Sequence, residues 1–499
     1  MPTKTLKLWQ WLPVAALALA GLACATFGGG GPDQPTDAVG NVATAAALTA
    51  TALVTTPDVP TATPEAGAPP TTEEPTAEEP TAETPTEAPP ATAAPAGPTC
   101  AIAYADFSLG ADPAAPVHTG NLYCLDAGGA PVVLATGNQP SGPRISPDGT
   151  LIAFQLATAT DGVSELWVVS AAGGDARLLV GTAALPSGGD TTINSPKSYQ
   201  WLAGTHTLVF DTRYIPAGGP FGPGEYINSD LWTVNVDTGV VTALLPAGAA
   251  GAFAVSPNGQ TVAIARPTGL DLVNADGGNY RQDVITFPAI LTYSEYAYKP
   301  FIQWGADGTF FNVSIPSPDP MAADARADFY RVGVDGIVTP LTSQPINIVF
   351  GGMVTPPQYA PNGRFVVYSV SQPDGTGEVF HQLEFLADGT VADRSMGPTL
   401  FLSGGQWSPD STYFQYAVTP LGAPGQGYVT GTTAESVQTF ANGLAALWAL
   451  EWQDGTTMVF IAKLGAADTW SLYRQTLGSE PVLLAGSLGE QVTLDVRQP

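Results

Sequence analysis

Residues 144–179 read RISPDGTLIAFQLATATDGVSELWVVSAAGGDARLL and have the pattern of one complete four-stranded β-unit. Two runs rich in β-branched, aromatic and aliphatic residues, TLIAFQLA at 150–157 and ELWVVSA at 165–171, are typical of strands. The turns before the first run and after the second contain Asp-Gly and Gly-Gly, which favour tight hairpins. A single sheet of this size is marginally stable by itself, so we expect neighbouring units.

The same unit recurs along the chain. The turn slot is occupied by SPDGT at 146–150, LAGTH at 202–206, SPNGQ at 256–260, GADGT at 305–309, APNGR at 360–364, SPDST at 408–412 and QDGTT at 453–457. The residue just before the turn is bulky in every copy: Ile145, Trp201, Val255, Trp304, Tyr359, Trp407 and Trp452. Repeats about 45 to 55 residues apart, each with its own turns, predict the blades of a β-propeller.

A second motif recurs in the third strand of the units. It places an acidic residue before an apolar–aromatic pair, as in ELW at 165–167, DLW at 230–232, DFY at 328–330, EVF at 378–380 and DTW at 468–470. Together with the SPDG turn, this motif resembles the TolB-type, WD-like β-propeller repeat over about residues 100–499. The resemblance implies the fold and leaves the function open.

The blade number follows from the two ends of the repeat region. Residues 100–135 contain the second, third and fourth strands of a unit without a first, whereas 492–496 is a lone strand of the first type. Joining the two fragments would remove the open sheet edges. We therefore predict an all-β propeller of eight four-stranded antiparallel blades, closed by the C-terminal strand. Seven blades are the alternative if 404–443 is not a full blade.

The N-terminal residues have the features of an export signal. Residues 1–23 combine Lys4 and Lys7 with an apolar run and then small residues, which is typical of a signal peptide. The sequence LAGLAC resembles a bacterial lipoprotein box and predicts lipidation of Cys24. The alternative is ordinary cleavage nearby. The expected location is the outer face of the cell membrane, with the lipid as the sole membrane contact.

A linker separates this signal from the repeats. Residues 24–98 are rich in Thr, Pro, Ala and Glu, a composition that buries too little apolar surface to fold. The propeller domain then occupies 99–499. The net charge of −28 argues against binding of nucleic acid or anionic lipid. We expect a monomer.

Cys100 and Cys124 are the two cysteines of the repeat region. Aligned on the unit at 144–179, they occupy nearly opposite places on an antiparallel hairpin. An exported protein meets oxidising conditions, which favour a disulfide. Two buried free thiols are the alternative.

Catalytic chemistry has little signal in the sequence. The histidines His118, His206 and His381 lie far apart without metal-ligand spacing, and no nucleophile elbow, zinc-protease helix, EF-hand or phosphate-binding loop occurs. We therefore predict no catalytic residue, no metal and no cofactor. The Asp and Asn residues of the repeated turns are interpreted as turn formers.

The long connections are predicted to lie on one side of the propeller. The tight turns join first to second and third to fourth strands, so the connections at 181–198, 213–229, 287–300, 315–327 and 343–357 emerge on the opposite side. Long loops on a rigid scaffold commonly carry binding. The candidate binding residues are Tyr214, Phe221, Tyr226, Tyr293, Tyr296, Tyr298 and Phe350.

Two functional interpretations follow. The favoured one is a non-catalytic module that binds a protein, peptide or glycan through the long loops. Alternatively, the aromatic residues of the long loops only stabilise their own loops. In the alternative for function, an extracytoplasmic hydrolase or lyase acting on sugars has its site at the mouth of the central channel. Such an enzyme requires ionisable side chains that converge there.

Overall fold

The computed structural model describes most of the repeat region. The described residues are 98–109, 117–125, 129–186, 192–216, 226–345, 356–371, 378–399, 402–418, 425–432, 437–465 and 467–498. The predicted signal peptide, the Cys24 lipidation site and the linker up to residue 97 lie outside them. Pro90–Pro499 forms one compact unit. Apart from one 3-10 turn, Thr182–Ala184, every regular element in the described part is a β-strand.

The repeated turns have the geometry that their residues dictate. In the first copy, the Gly149 N–H donates to the Ser146 carbonyl oxygen over 2.8 Å. The Asp148 carboxylate accepts from the Ser146 hydroxyl at 2.6 Å and from the Thr150 N–H at 3.1 Å. Gly149 has φ +80°, a conformation that glycine adopts without strain. The Asp residue of this turn is thus engaged within the turn itself.

Within the described ranges, thirty-one strands form seven antiparallel sheets. Sheet 1 contains β1 (Ile102–Phe107), β2 (Thr119–Leu125), β3 (Val132–Asn138) and the C-terminal β31 (Gln491–Val496). Sheet 2 contains β4 (Ser141–Ile145), β5 (Leu151–Ala157), β6 (Ser164–Ser170) and β7 (Arg177–Val180). Sheet 3 contains β8 (Thr192–Trp201), β9 (Thr207–Pro216), β10 (Leu231–Asn235) and β11 (Val241–Leu245).

The later sheets continue the same order. Sheet 4 contains β12 (Ala252–Val255), β13 (Thr261–Arg266), β14 (Gly269–Asn274) and β15 (Arg281–Thr286). Sheet 5 contains β16 (Gln303–Trp304), β17 (Phe310–Pro316), β18 (Ala327–Gly333) and β19 (Val338–Gln344). Sheet 6 contains β20 (Gln358–Tyr359), β21 (Phe365–Ser371), β22 (Glu378–Phe385) and β23 (Val391–Thr399).

Sheet 7 has seven strands. They are β24 (Leu402–Trp407), β25 (Tyr413–Val418), β26 (Gly425–Gly431), β27 (Val437–Trp452), β28 (Thr457–Leu464), β29 (Trp470–Thr476) and β30 (Val482–Leu488). The first half of β27 pairs with β26 and the second half pairs with β28, with the change of partner at Leu444. One strand therefore ends one repeat and begins the next, where the sequence predicted two separate strands.

Sheet 1 joins the two ends of the repeat region. Strand β31 pairs antiparallel with β1, from Ile102 opposite Val496 to Phe107 opposite Gln491. The side chains of Val492, Leu494 and Val496 are all buried. The fourth strand of this sheet is thus supplied from the other end of the chain.

The hydrophobic core lies between successive sheets. Phe311 and Val313 of sheet 5 pack in one cluster with Leu272 of sheet 4. Tyr104 of sheet 1 packs in another with Val459 of sheet 7. Each sheet therefore buries a face against its neighbour, as expected for propeller blades. Within the part of the chain that the structure describes, no helix is long and apolar enough to cross a membrane.

Two predicted loops are shorter than the sequence indicated. The predicted connection at 181–198 ends at Thr192, where β8 begins, and β9 runs on to Pro216. The pairing of β8 with β9 continues beyond the repeat consensus, from Trp201–Leu208 out to Thr192–Pro216. Backbone pairing has extended the hairpin into residues that look like loop in the sequence.

Candidate functional site

The first strands of the sheets are joined to one another by side-chain hydrogen bonds. We use the term first strand for β4, β8, β12, β16, β20, β24, β27 and β31. In one kind of link, a side chain accepts the backbone N–H of the next first strand: Asp495 from Ile145 at 2.8 Å, Gln200 from Val255 at 2.9 Å and Gln303 from Tyr359 at 2.7 Å. Gln200 and Gln303 stand directly before a bulky residue of the repeat, and Asp495 stands directly before Val496.

In the other kind of link, a tryptophan Nε1–H donates to a backbone carbonyl of a neighbouring first strand. The pairs are Trp201 with Arg144 at 2.9 Å, Trp304 with Ala254 at 3.0 Å, Trp407 with Gln358 at 2.9 Å, Trp452 with Gln406 at 3.2 Å and Trp448 with Val492 at 2.7 Å. Taken with the first kind, these bonds lead from β31 through every first strand in turn and back to β31. These tryptophans therefore fasten neighbouring first strands together.

Three ionisable side chains adjoin among these links. The Arg144 guanidinium donates to the Asp495 carboxylate over 2.9 Å, and Gln406 donates to Glu451 over 3.3 Å. Burial raises the pKa of Glu451, and the charge of Asp495 raises it further. Arg144 and Asp495 each bond a neighbouring first strand, and Glu451 bonds Gln406 of β24. The arrangement is accounted for by its role in holding strands.

A cavity of about 440 Å³ opens on the side of the long connections. We call it the mouth pocket. Its apolar wall includes Phe107, Val163 and Trp448, and its polar wall includes Ser164 and Arg213. These residues come from β1, β9, β27 and the start of β6 with the residue before it, so four separate segments supply them. A volume of this size suits a small organic ligand or a chain end.

The polar wall contains donors without acceptors. The Nε–H of Arg213 and the hydroxyl of Ser164 are buried atoms with no hydrogen-bond partner. Burial lowers the pKa of Arg213, and nearby Asp211 partly offsets the effect. The carboxylate of Asp211 is itself engaged, since it accepts from the Ser198 N–H at 2.7 Å and lies 3.9 Å from the Lys197 ammonium. Burial also raises the pKa of Asp211 to about 6.

Five of the seven aromatic candidates lie in the described residues; Phe221 and Phe350 lie outside them. Tyr214 and Tyr226 form an edge-to-face pair at 5.6 Å between ring centroids. Their backbones are also bonded, from the Tyr214 N–H to the Tyr226 carbonyl at 3.0 Å. Tyr298 packs against the core between sheets 4 and 5. These three rings contact residues of their own surroundings.

Tyr293 and Tyr296 are exposed instead, at 64% and 45%. Leu291 and Phe301 on the same connection, and Met321 on the connection after β17, are each more than half exposed. The Leu291 N–H donates to the Pro318 carbonyl over 2.8 Å, and the Tyr293 hydroxyl donates to Asp319 over 2.8 Å. These bonds hold the connection before β16 against the connection after β17. We call this surface the loop patch; it lies on the same side as the mouth pocket.

The opposite side contains the tight turns. His206, from the degenerate turn, bridges two of them: its Nε2 lies 3.1 Å from Asp148 and its Nδ1 lies 3.0 Å from Asp237. These two carboxylates raise the pKa of His206 against the opposing effect of burial, and the bond from His206 helps to lower that of Asp148. Among the described residues, no group of three His, Cys, Asp or Glu side chains could hold a metal ion.

Cys100 and Cys124 are joined in a disulfide, with their Cα atoms 5.7 Å apart. Cys124 lies on β2, and Cys100 lies two residues before β1. The bond therefore fastens the start of the propeller region to its own hairpin.

Sequence reasoning missed the residues that define the mouth pocket. Arg213 and Trp448 belong to no sequence motif. They lie in different sheets, so no spacing in the sequence relates one to the other. The polar residue that precedes the bulky residue before each turn could have been recognised from the sequence. Gln200, Gln303 and Gln406 recur at that position, and their role in linking first strands has this visible signal.

No protein-family model matches this chain, and no curated protein matches it significantly. Among solved structures, TolB from Acinetobacter baumannii is 13% identical, with a TM-score of 0.31 over 62% of this chain and 72% of that chain. Dipeptidyl peptidase 4 of Porphyromonas gingivalis is 13% identical, with a TM-score of 0.48 over 69% of this chain and 53% of that chain. Acylaminoacyl peptidase of Pyrococcus horikoshii is 13% identical, with a TM-score of 0.40 over 77% of this chain and 50% of that chain. This chain thus spans about half the length of either peptidase, and its function has to be argued from its own residues.

Proposed function

We propose that this chain is an exported, lipid-anchored β-propeller that binds a protein partner through the loop patch and performs no catalysis. The propeller would consist of eight blades, with the two halves of β27 serving two of them. The hydrogen bonds that connect the first strands from β31 back to β31 support this arrangement. Cys24 would hold the protein at the membrane, and residues 24–98 would separate it from the surface.

The exposed apolar side chains of the loop patch are the observation that carries the proposal. Leu291, Tyr293, Phe301 and Met321 are each more than half exposed, whereas Ile290 and Ile302 on the connection before β16 are buried in the core between sheets 4 and 5. Apolar side chains that share one exposed surface are typical of protein-binding sites. Aliphatic Leu291 and Met321 favour a protein or peptide over a glycan, since sugars stack on flat aromatic faces.

The charges around the patch indicate the chemistry of the partner. Glu295, Asp319 and Asp324 lie on the two loops that form it, against Lys299 alone between residues 291 and 324. The whole chain carries a net charge of −28. An apolar surface with an acidic rim fits a partner that presents apolar side chains flanked by Lys or Arg.

A random peptide library displayed on phage and panned against the full chain in detergent tests the proposal. We expect enrichment of peptides with an apolar anchor beside basic residues. The double variant Tyr293→Ala, Met321→Ala should weaken these peptides by about tenfold or more, because truncation of central interface side chains commonly has effects of this size. Affinities are measured by titration calorimetry.

The control variant is Val240→Ala, Ile337→Ala. These two side chains are 58% and 65% exposed and lie in tight turns on the opposite side, so the same kind of truncation is made away from the patch. Peptide affinity should be unchanged. Equal losses in both double variants would contradict the proposal. If no peptide is selected and neutral oligosaccharides bind in a patch-dependent way, the partner is a glycan and the proposal of a protein partner is wrong.

An enzyme is the alternative that the sequence left open. It requires ionisable side chains that converge on a substrate site. Among the described residues, the adjoining Arg144, Glu451 and Asp495 instead bond neighbouring first strands. This engagement favours the binding module.

A further inference from the structure

Arg213 differs from every other arginine in the described part of the chain. The rest have a partner for the guanidinium: a carboxylate for Arg144, Arg266 and Arg364, an oxygen of a backbone or uncharged side chain for Arg177, Arg281, Arg326, Arg331, Arg394 and Arg497, and a further contact for Arg474. Arg213 makes no such hydrogen bond or ion pair in the described structure, and its Nε–H is buried. In a chain with 44 acidic and 16 basic residues, a guanidinium with neither a hydrogen-bond acceptor nor an ion-pair partner is unusual.

The surroundings of Arg213 are those of a site rather than of a gap in the core. The hydroxyl of Ser164 in the same pocket wall is also without a partner, and Ser164 is only 7% exposed. A desolvated and unpaired polar group is unfavourable, so a ligand that gave the Arg213 guanidinium an acceptor would gain binding free energy. Across the pocket, the half-exposed indole of Trp448 is held by its bond to the Val492 carbonyl.

We infer that the mouth pocket binds the carboxylate of a small organic molecule or of a chain end, with Arg213 as its charged donor. A guanidinium presents a planar fork of N–H groups that matches a carboxylate. Trp448, Phe107 and Val163 would contact the organic part. A single positive charge, with Asp161 in the same wall, suits a monoanion better than a phosphate dianion.

The site is separate from the loop patch. None of its lining residues belongs to 291–321, and it is formed by sheets 1, 2, 3 and 7. The inference about the mouth pocket is therefore independent of whether the loop patch binds a protein. The two sources of such a carboxylate are the C-terminus of a peptide and a uronic acid of a glycan.

Titration calorimetry on the full chain distinguishes these sources. The peptide probes are an N-acetylated Ala-Phe dipeptide with a free C-terminus and the same dipeptide amidated at the C-terminus. The sugar probes are methyl glucuronide and methyl glucoside. We expect saturable binding of at least one acid, and binding of its neutral counterpart weaker by about tenfold or more, because a charge-assisted bond is lost.

Two variants assign the effect to the site. Arg213→Gln should weaken binding of the acid by about tenfold or more, with the melting temperature unchanged or raised, because no hydrogen bond or ion pair of the Arg213 side chain is removed. Arg326→Gln is the matched control: this arginine lies on the same side of the sheets and bonds Ser343, and its loss should leave the affinity unchanged.

Three outcomes overturn the inference. They are equal affinity for acid and neutral probe, retention of acid binding in Arg213→Gln, and absence of saturable binding by both acids below about 10 mM, which is weaker than a specific site of this kind should be. Failure of the peptide selection at the loop patch leaves the calorimetric result unaffected, so the two proposals fail independently.

Discussion

Removal of residues 490–499 should destabilise the propeller region strongly. The deletion takes away β31, which pairs with β1 over its whole length and carries the first-strand links made by Asp495 and to Val492. Sheet 1 would keep three strands, and the edge of β1 would lose its partner. The side chains of Val492, Leu494 and Val496 are 3%, 8% and 8% exposed, so their burial is nearly complete.

The size of the effect follows from these burials. Each such side chain contributes about 1.5–3 kcal/mol when fully buried, so the three contribute about 5–9 kcal/mol together. Unfolding entropy is about 2.1 cal/mol/K per residue, and the region has roughly 400 residues. The expected fall in melting temperature is therefore about 6–11 °C from apolar burial alone. The lost ladder with β1 adds to it.

Scanning calorimetry of the full chain and of the deletion variant measures this shift. Leu483→Ala serves as the control, because Leu483 lies on the outer strand β30 and is 58% exposed. The melting temperature of the Leu483→Ala variant should stay within about 1 °C of that of the parent protein. A deletion variant that melts together with the parent protein would refute the reasoning and would remove the support for closure by the C-terminal strand.

Two further predictions concern the cysteines. Cys24→Ser should move the protein from the membrane fraction to the soluble fraction, as followed by fractionation and immunoblotting; unchanged membrane retention would exclude lipidation at this residue. Mass spectrometry of the unreduced protein should find Cys100 and Cys124 linked, and Cys124→Ser should cost about 3 kcal/mol of stability for a closed loop of about 25 residues. Detection of both thiols as free would exclude the bond.

The repeated turns and the bulky residue before each of them were enough to predict sheets of antiparallel strands. This prediction succeeded for a local reason. Asp148 accepts a hydrogen bond within its own five-residue turn, and Gly149 supplies the positive φ of that turn, so the turn can be predicted without tertiary contacts. The fourth strand of sheet 1 was also predictable. The fragment at 100–135 lacked a first strand, and the fragment at 492–496 was a single strand of the first type.

The continuous strand β27 was not predictable in this way. The break between two repeats was expected near residue 443, yet Gly443 and Ala441 turn the backbone locally while the strand goes on. Pairing to β26 on one half and to β28 on the other depends on where the two neighbouring hairpins lie. No local pattern contains that information.

The sequence by itself determined the repeated turns, the hairpins that they close and most of the strands, because these depend on residues close together in the chain. Only the tertiary structure decided which aromatic rings are exposed: Tyr298 packs into the core, whereas Tyr293, five residues earlier, stays in solvent. It alone brought Arg213 beside Ser164 and Trp448. A pocket between sheets is assembled from residues far apart in the chain, and whether a guanidinium there finds an acceptor depends on side chains that no sequence spacing relates to it.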